Sequence, residues 1–204
     1  EAWEAQSFNQ HLAKCLIEAT QSEEILELLN QSAKVYIRAN TLLIPSIKLY
    51  KELSDEDFIL KGTAESEDCF IVENPKRLNL SECYKEGLFE IQDLGSQQIG
   101  AFTNAKPKQL VIDVCAGAGG KTLQMAAMME NEGTIIASDI ESWKLDNLEF
   151  RAKRADAINV KVCIPEDLND FEAKADVVLI DAPCTGAGTI RRKPDLKYKI
   201  DETQ

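Results

Sequence analysis

Residues 110–122 constrain the fold more than any other part of the sequence. They read LVIDVCAGAGGKT, an apolar run that ends in an acid and is followed by a glycine-rich turn, and residues 123–129 are helix-forming. Strand, glycine-rich turn and helix in this order form the first unit of a nucleotide-type α/β site. Glycines let the backbone approach a ligand closely, and the start of the helix directs unpaired N–H groups at that ligand.

The glycine pattern leaves more than one kind of ligand open. A phosphate-binding Walker loop needs Gly-x4-Gly-Lys-Ser/Thr; residues 120–122 supply its end, but Cys115 stands where its first glycine belongs. A dinucleotide fingerprint needs G-x-G-x-x-G; Gly117 and Gly119 supply its first half, but Thr122 replaces its last glycine. The loop favours a nucleoside cofactor without a critical phosphate. An NTPase and a purely structural loop stay open as alternatives.

Length and composition narrow the class of protein. The 204 residues are 44% hydrophobic and 28% charged, which is typical of one fair-sized globular domain or two small ones. No apolar run approaches a membrane span, and residues 1–20 lack a signal-peptide layout, so we expect a cytoplasmic protein without membrane contact. We also expect a monomer. Six cysteines without metal-ligand spacing indicate reduced thiols and no metal site, and the single histidine, His11, argues against a histidine-based triad.

The charge distribution matters more than the net charge. The formal net charge of −12 argues against general nucleic-acid binding, which depends on phosphate neutralisation by Lys and Arg. Residues 191–199, however, carry five bases and one acid. This stretch is either a basic patch that guides a polyanion or a solvated loop.

Periodicity divides the chain into three parts. Residues 1–33 are predicted to be an accessory helical segment, residues 34–88 a small α+β domain, and residues 89–204 a larger α/β domain. In the small domain we predict strands at 35–41, 58–60 and 69–72 and a helix at 45–53. Arg38 and Asn40 share one face of the first strand, where they either contact substrate or anchor the following loop.

Acids mark the ends of the strands predicted in the larger domain. The apolar strands 110–113, 133–139, 159–163 and 176–181 each end at or beside an acid and alternate with helical stretches, which predicts a parallel, doubly wound, Rossmann-like sheet. Asp139 lies 20 residues beyond Gly119, where nucleoside-binding folds hold the ribose hydroxyls. A cap for the helix predicted over 142–154 is the alternative role. The strand 177–181 would serve as a Walker B strand in an NTPase.

The most specific motif comes last, in residues 181–197. The sequence D-A-P-C at 181–184, followed by R-R-x-P-D-x-K, resembles the RNA 5-methylcytosine methyltransferase family typified by bacterial Sun/Fmu 16S ribosomal RNA methylases. The same family is matched by the glycine-rich loop, by Q-D-x-x-S-Q at 92–97 and, less specifically, by I-R-x-N-T at 37–41. The resemblance covers residues 34–199, with the motifs in the order that the family has them.

The resemblance implies a fold and a reaction. The expected architecture is a Rossmann-like methyltransferase domain preceded by a small RRM-like α+β domain. The expected reaction transfers a methyl group from S-adenosylmethionine to carbon 5 of a cytosine in RNA, 16S rRNA in first place and tRNA in second. Because carbon 5 is a poor nucleophile, the family first adds a cysteine thiolate to carbon 6, which divides one difficult step into two easier ones.

The resemblance also assigns roles to residues. Asp139 would hold the cofactor ribose, and Asp167 would lie near the adenine, unless a one-residue slip exchanges it with Glu166. Asp181 would contact the cofactor and the cytosine ring nitrogen, and Cys184 would assist release of the enzyme after methylation. The loop residues that would cradle the methionine end are Cys115, Ala116, Gly117, Ala118, Gly119, Gly120 and Lys121. The residues expected to face RNA are Arg38, Asn40, Arg191, Arg192 and Lys197; a tether for the loop is the alternative role of the last three.

One departure from the family pattern bears on activity. The family's attacking cysteine belongs to a Thr-Cys-Ser motif beyond the Pro-Cys motif, and no Thr-Cys pair occurs in this sequence. We therefore expect a C-terminally truncated, inactive fragment. A less favoured alternative makes Cys184 the attacker, as in DNA cytosine methylases. The remaining alternatives are a P-loop NTPase and a non-catalytic RNA-binding fragment.

Overall fold

The computed structural model describes residues 2–200, and side chains from residue 4 onward. The chain divides into two compact units, one built from the segments 1–33 and 183–204 and the other from residues 34–182. The strands are β1 (Val35–Ala39), β2 (Leu60–Gly62), β3 (Cys69–Val72), β4 (Phe89–Ile91), β5 (Leu110–Asp113), β6 (Thr134–Ser138), β7 (Val160–Cys163) and β8 (Val177–Leu179). The α-helices are α1 (Ala2–Ala5), α2 (Gln10–Thr20), α3 (Glu24–Asn30), α4 (Ser46–Asp55), α5 (Glu82–Lys85), α6 (Leu94–Phe102), α7 (Gly120–Met128), α8 (Ser142–Arg154) and α9 (Leu196–Lys199).

The first sheet of the 34–182 unit is antiparallel, with the strand order β2-β3-β1-β4. With α4 after β1 and α5 before β4, its elements follow the β-α-β-β-α-β pattern of a split βαβ fold. Its core includes Ile37, Leu49, Leu53 and Phe89. Our expected boundary after residue 88 falls directly before β4, and β4 pairs with β1, so this sheet extends to Ile91. The sequence predicted a joint there because a three-residue strand carries almost no periodicity.

The second sheet of this unit is parallel, with the order β7-β6-β5-β8. The chain runs outward from β5 through α7, β6 and α8 to β7 and then returns to β8 on the other side of β5. The predicted doubly wound α/β fold is therefore confirmed, and the strand order reverses between β5 and β8. Ligands of such sheets bind beyond the carboxyl ends of the strands at this point.

The other unit combines α2 and α3 with the chain after residue 183. Phe8, Leu12 and Leu26 form an apolar cluster with Ile190 and Ile200. Two short amphipathic helices have too little apolar surface for a core of their own, and the later segment completes it. Our expectation that residues 89–204 form one domain thus differs from the structure, which places the described residues after 182 with the N-terminal helices. Within residues 2–200, no helix combines the length and the apolar character that a bilayer crossing requires.

Candidate functional site

The glycine-rich loop, residues 114–119, leaves the end of β5 and is held by both neighbouring strands. The amide of Val114 donates to the carbonyl of Leu179 in β8 at 2.9 Å, and the amide of Ala116 donates to the carbonyl of Ser138 in β6 at 2.9 Å. These bonds place the loop at the carboxyl edge of the sheet, beside the point where the strand order reverses.

Two glycines of the loop adopt left-handed backbone, for different reasons. Gly117 has φ +54°, and a Cβ there would meet no atom within 4 Å. Gly119 has φ +87°, and a Cβ there would lie 2.7 Å from Cγ of Leu148, a fully buried residue of α8. Gly119 therefore lets α8 pack directly against the loop. No side chain caps α7, which starts at Gly120, so its first N–H groups are available to a ligand.

Asp139 follows β6 and ties the loop to the start of α8. Its buried carboxylate accepts hydrogen bonds from the amide of Gly117 through Oδ2 at 2.9 Å and from the amide of Glu141 through Oδ1 at 3.0 Å. Lys144 Nζ lies 3.7 Å from the same Oδ1. Each carboxylate oxygen offers about two lone-pair sites, so both oxygens can accept a further hydrogen bond. Asp139 thus holds the loop and the residue before α8, but no side chain caps α8 itself, so the cap alternative is wrong.

Asp181 lies two residues beyond β8 and is paired with a lysine of the loop helix. Lys121 Nζ lies 2.5 Å from Asp181 Oδ2. The lysine side chain is 17% exposed and the aspartate 44% exposed, so the carboxylate remains accessible from solvent. Two residues that the family motifs single out, 60 positions apart in the chain, therefore meet at the carboxyl edge of the sheet.

Asp113 ends β5 beneath the loop and is almost completely buried. Burial raises the pKa of its carboxyl to about 6, and the neighbouring Asp181 and Asp139 add to this effect. The hydroxyl of Thr122, which donates to Asp113 Oδ2 at 2.7 Å, and the charge of Lys121 lower the pKa in part. Three carboxylates thus lie close enough to influence one another at this edge of the sheet, with Lys121 and Lys144 beside them.

The pKa of the Cys115 thiol is raised by burial and by the same three carboxylates. A thiol with a raised pKa stays protonated at neutral pH, and the protonated form is a poor nucleophile because the thiolate is the reactive form. Cys115 is therefore a lining residue of the loop and not an activated nucleophile.

Glu166 and Asp167 both lie in a 3-10 helix, Pro165–Phe171, after β7, and both are exposed. Burial raises the pKa of the Cys163 thiol at the end of β7; the Ser138 hydroxyl lowers it, and the Asp167 carboxylate raises it. Both acids therefore follow directly after the end of β7, and the adenine-side role of Asp167 stays a prediction, with Glu166 as its alternative.

Cys184 and the basic stretch belong to the other unit. Cys184 is an exposed free thiol, and Arg192 is exposed. Arg191 donates to the carbonyls of Gln31 at 3.3 Å and of Ser32 at 2.8 Å. Lys197 donates to Oδ1 of Asn30 at 2.6 Å. Arg191 and Lys197 thus join the basic stretch, residues 191–199, to the chain at the end of α3, as the alternative role of a tether predicts.

Arg38 and Asn40, expected to face RNA, are 5% and 3% exposed. Arg38 Nε donates to Gln92 Oε1 at 2.8 Å, and Asn40 Nδ2 donates to the carbonyls of Gly87 at 2.9 Å and Ala155 at 2.8 Å. Burial lowers the pKa of Arg38 to about 10, which leaves it charged at neutral pH. The structure therefore shows both side chains in anchoring contacts, and their contact with RNA stays a prediction.

The sequence did not indicate that α8 holds the glycine-rich loop through a side chain. Arg151 of α8 donates through Nη1 to the carbonyl of Ala118 at 2.5 Å and is paired with Glu90 of β4. An arginine in the last turn of a helix is ordinarily a surface residue that complements the helix dipole, so sequence offers no local signal for this contact. Across residues 2–200 the structure contains no cluster of three or more His, Cys, Asp or Glu residues that could hold a metal ion.

The doubly wound sheet, its glycine-rich loop and the acids around it define a Rossmann-like methyltransferase domain. Residues 101–204, just over half of the chain, match the 16S rRNA methyltransferase RsmB/F family, and the chain belongs to this family. The resemblance deduced from the motifs is thereby confirmed.

Individual relatives agree with the family match. The chain is 35% identical to ribosomal RNA small subunit methyltransferase F of Shewanella amazonensis, over 79% of this chain and 36% of the relative. It is 31% identical to a tRNA (cytosine(49)-C(5))-methyltransferase of Pyrococcus abyssi, over 93% of this chain and 62% of the relative. The crystal structure of a methyltransferase homologue from Pyrococcus horikoshii superposes with a TM-score of 0.82 at 27% identity, covering 97% of this chain and 67% of that protein. The chain thus spans only part of the length of these relatives.

Proposed function

We propose that this chain carries the S-adenosylmethionine site of an RNA cytosine-5 methyltransferase. The observation that carries the proposal is the set of three carboxylates, Asp113, Asp139 and Asp181, around the glycine-rich loop. The helix that follows this loop, α7, has no side-chain cap, and its Lys121 is already paired with Asp181. A polyphosphate would be repelled by these carboxylates. A cofactor with a positively charged sulfonium, an ammonium group and two ribose hydroxyls would be attracted by them.

The residues present fit this cofactor group by group. The half-buried backbone of residues 115–118 and the first N–H groups of α7 would receive the carboxylate of the methionine end. Asp139 would accept the ribose hydroxyls with its remaining lone pairs, and Asp167 would lie on the adenine side. Gly117 and Gly119 keep the loop free of side chains that would occupy the same space.

The Lys121–Asp181 pair would act on the cytosine that receives the methyl group. Bound S-adenosylmethionine would supply an electrophilic methyl group. Asp181 would hydrogen-bond the cytosine ring nitrogen, which is an acceptor, so the carboxyl would donate the proton of this bond, and Lys121 holds the Asp181 side chain in place. Cys184, in the Pro-Cys motif, would assist elimination of the enzyme after methylation.

The RNA target follows from the family to which the chain belongs. We infer that the natural protein methylates cytosine in small-subunit ribosomal RNA, with transfer RNA as the second candidate, because relatives of both names are similar to this chain. The exposed side chain of Arg192 would contact phosphates. The free state of all six cysteines supports a cytoplasmic location. We further propose a monomer without a metal.

The deciding experiment is a calorimetric titration of this chain with S-adenosylhomocysteine in metal-free buffer, beside a titration with ATP and magnesium. The proposal requires binding of the first ligand at micromolar concentration and none of the second. Binding of ATP alone would establish the NTPase alternative. Transfer of a labelled methyl group by the natural protein to small-subunit rRNA or to tRNA would then identify the substrate, and RNA retention without transfer would indicate a binding protein.

A further inference from the structure

The last two turns of α8 contact the glycine-rich loop, residues 114–119, at two adjacent points. Because the proposed function assigns this loop to the cofactor, we call it the cofactor loop from here on. Leu148 packs against Gly119, where a Cβ would come within 2.7 Å of Leu148 Cγ. One turn later, Arg151 Nη1 donates to the carbonyl of Ala118 at 2.5 Å. Both contacts lie on the side of the loop that faces the protein interior, because Leu148 is fully buried and Arg151 largely so.

The orientation of Arg151 is set by the other sheet of the same unit. Its Nη2 lies 2.7 Å from Glu90 Oε2, and Arg154 Nη2 lies 2.5 Å from Glu90 Oε1. The Glu90 side chain is only 1% exposed and belongs to β4, which pairs with β1 of the antiparallel sheet. A buried carboxylate cannot leave its partners without a large desolvation penalty. Glu90 is therefore a rigid anchor for the guanidinium.

We propose that Glu90 and Arg151 are positioning residues through which the antiparallel sheet determines the conformation of the cofactor loop. This inference rests on the proposed function, because it assigns the loop to the cofactor. The planar guanidinium presents its donors in a fixed fork, so it can hold the Ala118 carbonyl and the Glu90 carboxylate together. A loop without this support would sample other conformations, and the cofactor would have to select the competent one.

Arg154 provides a matched control on the same helix. Arg154 shares the Glu90 carboxylate with Arg151 and is similarly buried, but its guanidinium contacts Glu90 and the ring of Tyr84 and not the loop. Arg151→Lys and Arg154→Lys each keep the charge and remove one guanidinium fork. Only the first change removes the contact with Ala118.

The test measures the Kd for S-adenosylhomocysteine by calorimetry in both lysine variants and in Arg151→Met. We expect Arg151→Lys and Arg151→Met to raise Kd at least about fivefold, which corresponds to a competent loop population of roughly one fifth. Arg154→Lys should leave Kd within about twofold, while the thermal midpoint falls in both lysine variants. Amide hydrogen exchange at Gly119 in the unliganded chain should accelerate only in the Arg151 variants.

Two results would overturn the inference. Equal Kd values for wild type and both lysine variants would show that Arg151 does not position the loop. If Arg154→Lys weakens cofactor binding as much as Arg151→Lys does, the higher Kd reflects a general loss of stability and not the position of the loop. If Arg151→Met does not fold, the lysine pair and the exchange rates still decide the question. An unmodified chain that binds no cofactor would refute the proposed function itself, which distinguishes the two failures.

Discussion

Gly119→Ala tests the claim that α8 packs directly against the cofactor loop. Left-handed backbone costs a residue with a Cβ roughly 1–2 kcal/mol. The new methyl group would also lie 2.7 Å from Leu148 Cγ and 3.3 Å from Leu148 Cδ1, and overpacking of this kind costs about 1–3 kcal/mol. Since Leu148 is fully buried, we expect a total loss of about 3 kcal/mol in the free energy of unfolding.

Gly117→Ala is the matched control for this substitution. Gly117 is also left-handed, but a Cβ there meets no atom within 4 Å, so only the backbone cost of about 1 kcal/mol applies. Leu148→Ala alone should cost about 2–5 kcal/mol through its cavity. In the double variant the alanine methyl group at 119 would enter that cavity. The combined loss should therefore fall short of the sum by at least about 1 kcal/mol.

Urea unfolding followed by circular dichroism measures all four variants under one set of conditions. Equal losses for Gly119→Ala and Gly117→Ala would refute the packing argument and leave only the backbone cost. Strict additivity in the double variant would show that residues 119 and 148 do not interact.

Three further predictions concern buried polar groups. Because folding raises the pKa of Asp113 from 3.8 to about 6, protonation favours the folded state, and stability present below pH 4 is lost as the pH rises through 6. Asp113→Asn should therefore stabilise the chain at pH 7 by up to about 3 kcal/mol in urea unfolding, an advantage that disappears towards pH 4; a constant difference would contradict the shift. Asn40→Ala removes two hydrogen bonds to backbone carbonyls and should cost about 2 kcal/mol with cofactor affinity unchanged; loss of affinity without loss of stability would argue for a direct binding role. Asp139→Ala should raise the calorimetric Kd for S-adenosylhomocysteine more than about tenfold, and an unaltered Kd would remove Asp139 from the site.

Local patterns located most of the elements and several site residues. The strands predicted at 69–72 and 110–113 coincide with β3 and β5, because apolar runs bounded by turn residues are encoded within a few positions. The acids at the strand ends are equally local signals, and the parallel sheet brings Asp113, Asp139 and Asp181 to one edge. Family membership could be deduced from motif order alone.

Long-range partners were beyond the reach of these patterns. Alternation placed Arg38 and Asn40 on one strand face but could not say that this face is buried against residues near 87, 92 and 155. The predicted domain boundary after residue 88 missed β4, which pairs with β1 and belongs to the antiparallel sheet. A three-residue strand is identified only by the strand it pairs with, so the sequence could not reveal it.

The sequence by itself determined the class of fold, the glycine-rich loop, the acids around it and the family. Each of these depends on the identity and spacing of nearby residues, which the chain order preserves. Only the tertiary structure decided that Lys121 meets Asp181 and that Glu90 and Arg151 support the loop from the antiparallel sheet. Those contacts join residues 33 to 61 positions apart, and a charged residue carries no local mark of the partner that packing will bring to it.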